Sequence, residues 1–149
     1  MAGEHTLSMS IDGMDELVES LERLTKKYPD KAGELLQKNA KKLRKDVIAN
    51  VKEDTKTTGK TKRSLSKTSS YAVSEVQGYG TSQYVEISAK SPHFHLVEHG
   101  HVLTNHSGKT IGFVQGRHMM ENAVKKREEY MDKDLKRMVS RLLKEERLT

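Results

Sequence analysis

Five side chains within nine residues, His93, His95, Glu98, His99 and His101, form the densest set of groups in the chain that could bind a metal or move a proton. Imidazole and carboxylate suit zinc or iron, and His95 and His99 would share a helix face at i,i+4. The spacing matches no common site, however. There is no HExxH, and nothing supplies an evident second shell to orient the rings. The better reading is a polar rim of partly exposed or partner-facing histidines, which would respond to pH because unperturbed histidine titrates near about 6.5. Residues 92–124 hold six of the seven histidines and both phenylalanines. They read as a junction where a sheet hands over to the last helix. No metal site and no cofactor are expected.

Other catalytic patterns are weaker. No GxSxG marks a nucleophile elbow. Gly59-Lys60-Thr61 has the tail of a phosphate-binding loop, but Asp54 stands where the earlier glycine belongs, and no strand precedes it. Gly78-Tyr79-Gly80 is not a GxGxxG and leads into no helix. The chain has no cysteine, which removes disulfides, thiol catalysis and thiolate metal sites. These observations point away from an enzyme.

Charge is the stronger signal. The net charge is +6, and residues 41–67 carry ten Lys or Arg against three acids, so this segment accounts for the whole excess. A basic stretch of this kind contacts phosphates or an acidic protein surface, or is simply a solvated face. No stacking aromatics lie within it and no helix-turn-helix or zinc-finger pattern fits, which limits any nucleic-acid contact to the phosphates.

The elements that must position these groups follow from periodicity. Met14, Leu17, Val18, Leu21 and Leu24 recur at helical spacing behind Asp15, Glu16 and Glu19, with Ser10 and Asp12 as candidate caps, and Tyr28-Pro29 should end that helix. A second helix opens at Asp30 and carries the stripe Leu36, Ala40, Leu43, Val47 and Val51, with Lys38, Lys41, Lys42 and Lys45 on the solvated face. Residues 52–67 lack apolar periodicity and read as a mobile loop with Leu65 as its anchor. Two alternating runs around the Gly78–Gly80 connection read as an antiparallel hairpin covered on one side. One helical turn at Phe94–Val97, strands at 102–103 and 110–114, and a long helix bearing Val124, Met131, Leu135, Met138 and Leu142 complete the chain, with the last turns past Leu143 frayed. The expected fold is α+β over residues 1–149 as one domain: a small antiparallel sheet at about 68–115, packed by two N-terminal helices at about 13–28 and 30–54 and one long C-terminal helix at about 117–145, with a basic loop at 55–67. The lean core, with 34% hydrophobic and 32% charged residues, suits a protein that completes its burial against partners. No apolar run approaches the ~20 residues needed to cross a bilayer, and the first residues lack a basic-then-apolar signal pattern.

Four short stretches together resemble the head–tail joining, or tail-completion (neck), proteins of long-tailed bacteriophages and prophages. Ile11-Asp12-Gly13-Met14-Asp15-Glu16-Leu17 looks like that family's strand-like opening and glycine before the first helix. Thr58-Gly59-Lys60-Thr61-Lys62-Arg63-Ser64-Leu65 is similar to its Thr-Gly-x-Leu-x-x-Ser-Ile segment, with Thr61 in place of the apolar residue. His95-Leu96-Val97-Glu98-His99-Gly100 looks like its Val-Glu-aromatic-Gly turn, with His99 at the aromatic position. Gly116-Arg117-His118-Met119-Met120-Glu121-Asn122-Ala123 looks like the Pro-Phe-x-x-Pro-Ala start of its last helix, without either proline.

The resemblance implies a virion structural protein with no catalytic residues, made in the host cytoplasm and built into the tail or neck. It would form a ring with copies of itself and contact tail-tube or head-connector neighbours. Lys56, Lys60, Lys62 and Arg63 would form the partner-contact loop, facing an acidic neighbour or packaged DNA. Glu98 and Gly100 would shape the turn before the final helix. The competing reading is a small basic nucleic-acid-binding accessory protein.

Overall fold

The computed structural model describes residues 14–148; the expected strand-like start at Ile11 and the caps Ser10 and Asp12 lie outside them. The architecture is α+β, with long helices at both ends of the described chain and two small antiparallel hairpins between them.

Helix α1 is Met14–Glu53, 40 residues and about 60 Å at ~1.5 Å per residue. It runs through Pro29, where the sequence predicts a break. Proline removes the hydrogen bond to the carbonyl four residues back and crowds it. Helix α4 (Met119–Glu145) and the residue that follows it tie α1 down on both sides of the proline. On one side Arg23 and Lys27 bind Glu146. On the other, Lys42 reaches Asp134 at 3.7 Å and Arg127 Nε donates to Asp46 at 3.0 Å. Asn50 Nδ2 donates to Met119 O at 2.9 Å. Partner numbers fall on α4 as they rise on α1, so the helices run antiparallel.

The core sits under the C-terminal half of α1. Val47 and Val51 from the expected apolar stripe are buried there with Ile48, Leu65, Tyr71, Met119 and Ala123; Leu43, Ala89, Phe94 and Met120 pack at the margin. The segment expected as a mobile loop contains the short helix α2 (Gly59–Leu65). Leu65 is buried against Val51 and Met119 and anchors it. Strands β1 (Tyr71–Val73) and β2 (Ile87–Ala89) pair antiparallel, with Tyr71 opposite Ala89. The Tyr71 hydroxyl donates to Leu65 O at 2.7 Å, and its ring meets Phe94 edge-on at 5.9 Å. Burial, and then the nearby Glu98 carboxylate, push this phenol up to about 12.

Helix α3 (Phe94–His99) follows, then β3 (Gly100–Thr104) and β4 (Thr110–Gln115). These strands pair only with each other, so the single sheet expected over 68–115 is two separate hairpins. Helix α4 continues past Leu143, where fraying is expected. Glu146, just beyond its end, is buried between Lys27 and Arg23, which hold its carboxyl below the usual value.

Candidate assembly surfaces

The second hairpin is rooted in a tight junction. Helix α4 begins after His118, which has φ 50° and supplies no side-chain cap. Glu98 of α3, only 4% exposed, takes that role from a distance. Its Oε2 accepts from the Met120 N–H at 3.1 Å and its Oε1 from the Glu121 N–H at 2.9 Å. A carboxylate here satisfies two orphan donors and meets the positive end of the helix dipole. Backbone bonds from Arg117 N to Val97 O (2.8 Å) and from His118 N to Glu98 O (3.1 Å) close the joint. Gly100 has φ 83°, and a Cβ there would stand 2.3 Å from Val114 O. A Cβ on Gly116 would stand 2.5 Å from Glu98 O. Both positions need glycine because two backbone segments touch, and the role of Gly116 shows only in three dimensions.

From this root the hairpin projects as an arm. Val102 faces Phe113 across the strands and Leu103 faces Gly112. Thr104 pairs with Thr110, which makes Ile111 the extra residue of a bulge. Val102 is 53% exposed, Phe113 60% and Ile111 65%. A two-stranded hairpin with uncovered apolar faces is marginal alone and is a candidate interaction surface.

A second apolar surface lies along the frame. Leu36, Ala40 and Leu43 of α1, Val124, Met131 and Leu135 of α4, Ile87 of β2 and Val85 just before it line a groove of about 500 Å³. Arg127 sits at its edge, held by Asp46 and over the Tyr130 ring at 5.2 Å.

The basic residues form a third surface. Lys56, Lys60 and Arg63 are exposed on and beside α2, whereas Lys62 is partly buried and donates to the Asp54 backbone carbonyl. The Asp54 side chain accepts from the Lys56 and Thr57 N–H groups at 3.1 Å each and lies 3.8 Å from Arg117. Burial pushes this carboxyl up, but the Thr57 and Lys56 hydrogen bonds and the Arg117 charge outweigh it, leaving it below the usual value. His93, His95 and His99 are exposed around α3 and His101 is partly covered in β3; among the described residues no three His, Asp or Glu side chains gather closely enough to hold a metal ion.

The chain is thus an α+β fold with exposed apolar and basic surfaces. The family model of "Bacteriophage HK97-gp10, putative tail-component" matches residues 15–100, more than half of the chain, and the protein belongs to this HK97-gp10-like phage family. The match covers α1, α2, the first hairpin and α3 and ends at Gly100, where the arm begins. Comparison with curated proteins and with solved structures finds no match. No helix among the described residues is long and apolar enough to cross a membrane.

Proposed function

We propose that this phage tail protein is a non-catalytic virion component that completes the tail or joins it to the head connector, assembled as a ring. Membership in a phage tail-component family carries the reading. The uncovered arm and groove support it, since both are apolar surfaces that a lone chain leaves in water. In this role Lys56, Lys60, Lys62 and Arg63 meet an acidic neighbour or packaged DNA, and Glu98 and Gly100 hold the arm in position. The test is electron microscopy of lysates from a phage or prophage with the gene deleted. DNA-filled heads beside unattached tails, or tails of abnormal length, are the expected outcome; normal infectious particles would overturn the reading.

A further inference from the structure

The arm and the groove are unmet surfaces of the same character on one chain, and the arm does not fill its own groove. None of its residues lines that groove, and Val102, Ile111 and Phe113 stay exposed. We infer that the β3–β4 arm of one copy docks into the α1/α4 groove of the next copy. This rests on the ring reading and supplies its interface.

Four observations favour a second copy as the occupant. Eight of the twelve residues that line the groove are apolar, and of the other four Arg127 is already held by Asp46. That apolar floor suits a large apolar side chain such as Phe113. The charges are complementary: residues 99–116 contain Lys109 and no acid, whereas Glu128 and Asp132 stand on the groove rim; Arg117, at the arm's root, already faces Asp54. Asp132 pairs with Lys136, and Glu128 forms no ion pair among the described residues. Third, Val85 and Ile87 present the face of the first hairpin to the groove, which extends its apolar wall beyond the two helices. Finally, Asn39 in the groove wall is buried and donates to Leu35 O at 3.0 Å, but its Oδ1 meets no donor. A small turn of the amide would offer this acceptor to an arriving N–H or to the Thr110 hydroxyl.

Arm and groove are different patches, so copies can contact head-to-tail. Such a contact propagates, closing into a ring when the rotation between copies closes.

The full-length protein tests this by sedimentation and cross-linking. Ile111→Asp alters the arm and Val124→Asp the groove wall, each checked for unchanged circular dichroism and melting. Each variant alone should associate at least tenfold more weakly than the parent. An equimolar mixture should form a heterodimer, because one intact arm and one intact groove remain. The chain has no cysteine, so Phe113→Cys chains mixed with Glu128→Cys chains should yield a mixed disulfide on oxidation. This second readout stands if an aspartate variant fails to fold. A closed oligomer that survives Ile111→Asp, or disulfides only between two Phe113→Cys chains, would overturn the arm-in-groove contact and leave the ring intact. Mixed disulfides in open chains would uphold the contact and overturn the ring. A parent that stays monomeric at every concentration, with no mixed disulfide, would overturn both.

Discussion

The two hairpins are made of similar material and end in opposite circumstances. Both are short antiparallel pairs bearing aliphatic and aromatic residues. In the first, Tyr71 is 2% exposed, and residues 82–90 alternate between covered and exposed positions because α1 passes beneath one face. In the second, Val102, Ile111 and Phe113 are exposed, and the principal contact outside the hairpin is with α3 at its root. Alternation specifies that a strand forms; it does not specify what covers the strand. An apolar face that the chain leaves bare is where the proposed contact with another copy would fall.

The largest expected effect lies in the covered hairpin. Tyr71→Ala removes a buried ring that packs on Phe94 and binds Leu65 O. It should cost about 4 kcal/mol, as aromatic-to-alanine changes in cores do, read as a shift in the denaturation midpoint. A loss below about 1 kcal/mol would mean that the first hairpin is no more fixed than the second.

A smaller change separates the arm from its root. Glu98→Ala leaves the Met120 and Glu121 N–H groups without their acceptor. About 2 kcal/mol is expected, equivalent to a fall of roughly 4–8 °C in Tm for a chain of this size. Glu98→Gln keeps one acceptor and should fall between the two. If Glu98→Ala melts like the parent, the trans cap contributes nothing and another contact anchors the arm.

Much of this was legible in the sequence, unevenly. Apolar spacing marked both long helices, the core stripe through Val47 and Val51, the anchor Leu65, and the strands of both hairpins. Local rules failed at Pro29, because the forces that carry α1 through it come from Arg23, Lys27, Lys42 and Asp46 reaching α4. Alternation also could not reveal that 68–115 divides into two sheets, since register and pairing partners are tertiary choices. The groove was invisible for a related reason: its lining comes from residues 36–43, 85–87 and 124–135. The density of histidines drew attention to residues 93–101, whereas the buried polar work in that stretch falls to Glu98.

The frame common to both hairpins is probed more gently by pH. Contacts with Lys27 and Arg23 hold the folded Glu146 carboxyl below its ordinary value of 4.5. A carboxyl lowered in the folded state stabilises the fold above that ordinary value, and the contribution fades as pH falls through the folded value. Tm measured from pH 7 to pH 3 should therefore drop at the acid end, and Glu146→Gln should flatten that limb while leaving both hairpins intact. An unchanged acid limb would show that the clamp at the end of α4 does not couple to folding.

The smallest effect on the lone chain is expected in the arm, and this sharpens the comparison most. Phe113 is 60% exposed, so Phe113→Ser removes little buried surface. Monomer stability should change by no more than about 0.5 kcal/mol, as for most surface substitutions. The same change should weaken self-association, because a large aromatic anchor is the kind of residue that dominates an interface. Equal losses in folding and association would mean that the arm belongs to the core of its own chain. A loss confined to association would mean that the fold carries Phe113 for a partner.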